Sequence, residues 1–188
     1  MKRKLGPVNA LYPSLTTIVG TLVDNRPTWI TIAHVGILTH GTPQLLSIGM
    51  GKIHHSNQGI FQNKTFSINI PSREMLIITD YVGLVSGKKT DKSELFETFY
   101  GELETAPMIT QCPISIELRL TQIVDTNTHD IFIGEVVQTY VDERVMEDGK
   151  IHYGKADPIL FDFQRIKYWS IGEEIGNPWN AGKSMKSK

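Results

Sequence analysis

The chain has 188 residues, close to the length of one domain and enough to bury a real hydrophobic core. Its 19 basic residues are balanced by 20 acidic ones, so no long-range field attracts nucleic acid or an anionic membrane. The single cysteine, Cys112, excludes an internal disulfide and favours a reducing, cytoplasmic compartment. Because the basic start lacks the apolar stretch of a signal peptide and no segment reaches the roughly 18 apolar residues of a spanning helix, we expect a soluble protein without nucleic-acid or membrane partners.

Residues 15 to 70 consist of short β-rich runs separated by turn residues. Strands are predicted at residues 16–23, 28–33, 44–50 and 65–70. Segment 24–27 has the length of a hairpin connection, so an antiparallel meander is expected. One short helix is predicted at residues 56–63, before the last of these strands.

Between residues 72 and 100 the pattern becomes helical. Met75, Ile78, Val82 and Val85 are spaced by three or four residues and so share one helix face. A second helix is predicted to begin near Asp91, because Asp91 and Glu94 have the spacing of a capping box.

Strands are predicted again in the last part of the chain, at residues 115–123, 130–142, 159–163 and 167–171. In the first of them apolar Ile116, Leu118 and Leu120 alternate with polar residues, which is typical of a sheet with one face in water. Residues 143–157 are predicted as a charged, mobile loop, and 172–188 as a tail. The chain is therefore expected to form one mainly β domain, 1–188, with a core at about 13–171 and short inserted helices.

The segment from Ser47 to Ser56 is the first candidate binding site. It runs from a strand end through two glycines and Lys52 to a predicted helix start, where free N–H groups and a cation suit an anion. The alternative is an ordinary strand-to-helix loop capped by Ser56. Neither of the two standard nucleotide-binding glycine spacings is present.

His54 and His55 are adjacent, so in an extended segment they point to opposite sides and do not share a metal ion. A solvated histidine or a donor to a bound phosphate explains them better. Cys112 lies before Pro113 with no activating cluster nearby, which argues against a nucleophile. We therefore predict neither a metal site nor a catalytic side chain.

A basic loop, Ser86 to Lys92, is the second candidate site. Charge runs of this kind are usually solvated surface. This loop, however, combines glycine, hydroxyls and lysines before a predicted helix, as the first candidate does.

With these motifs in order, the chain resembles the flavin-reductase-like, FMN-binding split-barrel family, which includes flavoredoxins and the reductase components of two-component monooxygenases. The resemblance runs from about residue 13 to residue 171, and its nearest stretches are residues 52–56, 66–71 and 83–93. It implies an antiparallel split β-barrel that forms a homodimer with one FMN per subunit. Residues 131–141 are expected at the subunit interface.

The resemblance also implies which residues hold FMN. The strand from Thr31 to His34 contacts the isoalloxazine, the segment from Ser47 to Ser56 surrounds the ribityl chain and phosphate, and the second loop lies at the phosphate end. His34 stands where many members have an aromatic residue. The residues assigned to FMN are Thr31, Ile32, Ala33, His34, Ser47, Ile48, Gly49, Met50, Lys52, His54, His55, Ser56, Ser86, Lys88, Asp91 and Lys92.

The function implied is an oxidoreductase in which NADH or NADPH passes hydride to FMN, which then reduces free flavin, ferric iron or a redox partner protein. The alternative is a flavoredoxin-like electron carrier, or flavin-binding module, that does not react with nicotinamide. A third possibility is a small β-barrel interaction domain without a cofactor.

Overall fold

The structure is a computed structural model that describes residues 1–183 and 185. Most of its regular structure is extended. In chain order the strands are β1 (Ser14–Leu15), β2 (Thr17–Val23), β3 (Arg26–Ile32), β4 (Val35–Ile37), β5 (Leu45–Gly51), β6 (Thr65–Ile70), β7 (Thr98–Phe99), β8 (Met108–Ile109), β9 (Ile114–Asp125), β10 (His129–Val141), β11 (Met146–Glu147), β12 (Lys150–Ile151), β13 (Ile159–Asp162) and β14 (Lys167–Ser170).

Seven of these strands form one antiparallel sheet in the order β3-β2-β6-β9-β10-β5-β4, which curls into a half-barrel. A smaller sheet joins β1, β13 and β14, and β7 pairs with β8. The predicted mainly β, antiparallel fold with short inserted helices is confirmed.

The turn between β2 and β3 fixes the position of the sheet edge. Asp24 and Asn25 both have positive φ, 50° and 61°. A type I′ hairpin turn needs such values at its two central residues, and Asp and Asn tolerate them. Because β3 lies at the edge, the backbone groups on its outer side are open to partners other than a strand.

The main core lies on one face of the sheet, where Val19, Ile48, Phe66, Leu118 and Phe132 are completely buried. The alternation predicted for β9 is confirmed for its apolar residues, since Ile116 and Leu120 pack against the same cluster. Burial of these side chains is the main stabilising contribution to the sheet.

The prediction that the other face of β9 is exposed to solvent is wrong at Glu117, whose side chain is 0% exposed. Its carboxylate accepts hydrogen bonds from the N–H of Glu102 at 2.9 Å, the N–H of Leu103 at 2.8 Å and the hydroxyl of Tyr140 at 3.0 Å. Burial and this hydrogen bond raise the pKa of Tyr140. The segment after β7 thus covers the polar face of β9 and satisfies its one buried acid.

The first two predicted helices are confirmed. Helix α1 (Ser56–Asn63) connects β5 to β6, and helix α2 (Leu76–Leu84) follows a single 3₁₀ turn at Arg73–Met75. Of the predicted apolar face, Val82, Ile78 and the preceding Met75 contact the cluster around Trp29, whereas Val85 is an extended residue after the end of α2. Helix α1 begins at Ser56 itself, with His55 as N-cap and no side-chain capping bond, so the alternative of a Ser56 cap is wrong.

The helix predicted near Asp91 is wrong. The chain there forms turns, and Asp91 Oδ1 accepts the N–H of Ser93 at 2.9 Å, two residues on. A carboxylate bonded this way closes a local turn instead of capping a helix.

The charged loop at residues 143–157 is more structured than expected. It contains the β11–β12 hairpin and helix α3 (Tyr153–Ala156). The side chain of His152 accepts the N–H of Lys155 at 3.1 Å and so caps α3.

The predicted tail, 172–188, begins just after β14, and its residues 184 and 186–188 lie outside the described residues. None of the helices in the described part of the chain combines the length and apolar character needed to cross a membrane.

Candidate functional site

Helix α2 lies against the edge strand β3, and this contact creates the candidate site. Thr31 Oγ1 donates to the carbonyl of Thr79 at 2.5 Å. Gly83 allows the close approach, since a Cβ there would lie 3.3 Å from the Cβ of Thr31. The end of α2, the strand and the loop that follows the helix therefore enclose a cleft.

Two adjoining cavities occupy this cleft. The first, of about 430 Å³, lies between the β2–β3 turn and the predicted basic loop at residues 86–92. The second, of about 230 Å³, lies between residues 53–56 and the end of α2. Both are lined by His55, Gly87 and Lys92, so the cavities adjoin at these three residues, and we call the space beside them the passage.

Gly87 lets its loop approach His55 and Thr28 closely. A Cβ at this position would lie 3.0 Å from His55 Cδ2 and 3.1 Å from Thr28 Oγ1, closer than ordinary contact. The Nδ1 atom of His55 is buried and has no hydrogen-bond partner among the described residues. A buried ring nitrogen of this kind needs a partner, which a bound ligand can provide.

Lys92 is the buried cation of the site, with a side chain only 3% exposed. Its Nζ donates to the carbonyls of Trp29 at 2.9 Å and Val82 at 2.8 Å. Burial lowers the pKa of Lys92 to about 8. The alternative that this charged run is solvated surface therefore fits Lys88 and Lys89 but not Lys92.

The loop itself is a compact turn. Ser86 organises it, since its carbonyl accepts the N–H groups of Lys89 at 2.9 Å and Thr90 at 3.0 Å. Asp91 pairs with Arg26 at 3.1 Å, which ties the loop to the β2–β3 turn. The hydrogen bond from Ser93, with help from Arg26, lowers the pKa of Asp91.

The structure brings one part of the predicted site together around the two cavities. His55 and Lys92 line both, Lys88 and Asp91 line the first, and the second is lined by His54, Ser56 and Ser86. Lys52 does not line either cavity, and its Nζ pairs with Asp125 at the β9–β10 turn. The two loops thus meet through His55 and Gly87 and not through Lys52.

The other predicted residues lie further along the sheet. Thr31 and Ile32 end β3, Ala33 and His34 follow, and Ser47 to Met50 belong to β5. The N–H of Gly49 donates to the carbonyl of His34 at 2.8 Å, which joins the two segments. The side chains of Ile48 and Met50 are buried in the core, so only their backbone can contact a ligand.

His34 is held in place by the amino-terminal segment. Its Nε2 lies 3.0 Å from the hydroxyl of Tyr12, and its ring lies 5.9 Å from the ring of His129. Burial and the nearby His129 lower the pKa of His34. His34 is therefore mainly neutral near pH 7.

Sequence reasoning missed Arg26, Thr28 and Ile30 as lining residues. They belong to the β2–β3 hairpin, where the sequence indicates only a turn and a strand. Their role depends on the contact between this hairpin and residues some 60 positions later, for which a single sequence carries no local signal.

Within the described residues, no group of three or more histidine, cysteine or acidic side chains is arranged to hold a metal ion. The thiol of Cys112 is buried beside Met75, with Sγ 3.9 Å from Sδ, and burial raises its pKa. A thiol with a raised pKa is a poor nucleophile.

A family model described as the flavin reductase like domain matches residues 9–170, which is most of the chain. The chain belongs to this family. The resemblance found in the sequence is thereby confirmed.

Solved structures agree with this assignment to the flavin-reductase-like family. The chain is 37% identical to the flavoredoxin of Methanosarcina acetivorans, with a TM-score of 0.95 over 98% of this chain and 99% of that one. It is 33% identical to the flavoredoxin of Desulfovibrio vulgaris (Miyazaki F), with a TM-score of 0.89 over 97% and 100%. An FMN-binding protein from Thermus thermophilus, 21% identical with a TM-score of 0.80 over 95% and 99%, shares the fold.

Proposed function

We propose that this flavin-reductase-like protein binds one FMN per subunit in the joined cavities and transfers two electrons through it. The observation that carries the proposal is that Lys92, a buried lysine, and His55, whose buried Nδ1 has no partner among the described residues, both line the two cavities. Such groups fit a phosphate ester. The similarity to two flavoredoxins at 37% and 33% identity supports a flavin as its source.

The phosphate is assigned to the first cavity and the passage. Lys92, His55 and those N–H groups of the loop at residues 86–92 that its own turn does not use would surround it, and the exposed Lys88 and Lys89 add positive charge. Ser56 and Ser86 line the second cavity, which leads towards β3 and suits the ribityl chain. Lys52 is left out because Asp125 already neutralises it.

The isoalloxazine ring is assigned to the end of β3, from Thr31 to His34. In an antiparallel strand the backbone groups of alternate residues face the same side. The carbonyl of Trp29 faces the open edge, where it accepts from Lys92, so the backbone of Thr31 and Ala33 faces that edge too. These groups can pair with the polar edge of a planar ring.

Bound FMN would supply the two-electron chemistry. The residues of this chain then bind and orient the ring and exclude water, and no side chain has to act as an acid or a base. We infer NADH or NADPH as the electron donor and a flavin, ferric iron or a redox protein as the acceptor. A carrier that takes electrons only from another protein is the second candidate, and the similarity to two flavoredoxins supports it equally.

We also infer a homodimer. Ile53 and Leu84, at the rim of the second cavity, are 83% and 76% exposed. A second subunit would bury these apolar side chains and close the open side of the cavity. The contribution predicted for residues 131–141 remains part of this proposal.

The expected result is a yellow protein that retains FMN through gel filtration, sediments as a dimer and loses its visible flavin absorbance when mixed anaerobically with NADH or NADPH. Free FMN with the same nicotinamide is the control. Protein that retains no flavin would contradict FMN binding. Retained flavin that neither nicotinamide bleaches would reject the reductase and leave the carrier.

A further inference from the structure

The surroundings of Lys92 differ from those of an ordinary binding-site lysine. None of the ion pairs among the described residues includes it, although its side chain is only 3% exposed. Its two hydrogen-bond partners are backbone carbonyls, of Trp29 and Val82. A buried lysine without a carboxylate is poorly compensated when it is charged.

Both carbonyls lack a partner in regular secondary structure. Val82 lies in the last turn of α2, where carbonyls have no N–H of the same helix to accept from. The carbonyl of Trp29 faces the open edge of β3. Lys92 satisfies both and so holds the helix end against the strand.

The number of hydrogen bonds that Lys92 Nζ can donate depends on whether it is protonated. A neutral amine has two N–H groups, and the two carbonyls occupy them. The ammonium form has a third N–H. Lys92 lines both cavities, so this third donor is the one that a ligand in the passage would accept from.

The charged groups around the passage leave an excess of positive charge. The second cavity adjoins the side of α2 through Gly83 and Leu84, which do not titrate. The titratable groups that line the cavities are His54 and His55 before α1, Asp24 and Arg26 from the β2–β3 hairpin, and Lys88, Lys89 and Asp91 from the loop of Lys92 itself. Asp91 is engaged with Arg26, so it does not neutralise Lys92.

We propose that Lys92 is a proton-linked positioning residue, which takes up a proton when a phosphate ester binds in the passage and donates its third N–H to it. This inference rests on the proposed function. Burial lowers the pKa of Lys92 in the free protein to about 8, and a bound phosphate raises it again. Above that pH, phosphate binding and proton uptake are therefore linked.

This proton uptake can be measured by calorimetric titration with FMN and with riboflavin. The titrations are done at about pH 8.5 in two buffers that differ in ionisation enthalpy. FMN should bind with uptake of up to about three quarters of a proton and riboflavin with none, because only FMN carries a phosphate, already fully ionised at this pH. The preference for FMN over riboflavin should fall by up to about tenfold per pH unit above pH 8.

Two variants distinguish the protonation of Lys92 from its structural role. Lys92→Arg keeps a permanent charge and donors for both carbonyls, so it should still prefer FMN but show no proton uptake. Lys167→Met removes an exposed lysine on β14, outside the site, and should behave as the parent protein does.

Equal proton uptake for FMN and riboflavin in the parent protein would overturn the inference, whether or not the Lys92 variant folds. Unchanged uptake in Lys92→Arg would also overturn it. FMN binding with no uptake rejects only the role of Lys92, whereas failure of both flavins to bind rejects the proposed function and this inference with it.

Discussion

Gly87→Val should lower the affinity for FMN by about tenfold or more while the protein stays folded. Even a Cβ at this position would lie 3.0 Å from His55 Cδ2 and 3.1 Å from Thr28 Oγ1. The two further methyl groups of valine occupy the passage that joins the cavities. Fluorescence titration with FMN measures the loss, and thermal unfolding checks that the fold is kept.

Gly41→Val is the matched control, since a Cβ at Gly41 meets no atom within 4 Å. It should bind FMN as the parent protein does. If a folded Gly87→Val variant keeps the parent affinity within about twofold, the flavin does not pass through the space between His55 and Gly87.

Glu117→Ala should lower the free energy of unfolding by about 3 kcal/mol or more. The substitution removes a completely buried carboxylate that accepts from two backbone N–H groups and the Tyr140 hydroxyl. Donors left without partners away from water lose their full solvation. Urea denaturation followed by circular dichroism measures the change.

Glu94→Ala, at an exposed acid, should change the unfolding free energy by no more than about 0.5 kcal/mol. Glu117→Gln should lie between the two, because an amide oxygen in place of Oε1 still accepts from Glu102 and Tyr140 while its NH₂ faces the N–H of Leu103. An effect of Glu117→Ala as small as that of Glu94→Ala would mean that water replaces the carboxylate.

The strands and the first two helices could be predicted because their signals are local. The alternation of Ile116, Leu118 and Leu120 indicated β9, and the spacing of Met75, Ile78 and Val82 indicated the buried face of α2. In each case the side chains that form the pattern are the ones that the core buries, so local pattern and tertiary packing agree.

The errors occurred where distant partners override the local pattern. Asp91 and Glu94 have the spacing of a capping box, but Asp91 turns to Ser93 and to Arg26, 65 residues earlier. Lys92 belongs to a charged run, yet it is buried because carbonyls of β3 and α2 bind its nitrogen. Neither partner can be read from the neighbouring sequence.

The two loops of the candidate site could be predicted from the sequence, but their arrangement in space could not. Both loops were selected for glycines and cations, and they do meet, at His55 and Gly87. The sequence favoured Lys52 as the cation, whereas the structure pairs it with Asp125 and buries Lys92 instead. Which lysine of several faces a ligand depends on the register of β9 and β10, which fixes the position of Asp125.

The position of the phosphate in a crystal structure of the FMN complex tests the central claim most directly. We predict a phosphate oxygen within hydrogen-bond distance of Lys92 Nζ and of N–H groups in the loop at residues 86–92. A phosphate bound beside Lys52 and Asp125 instead, with the passage at Gly87 empty, would contradict the proposed site.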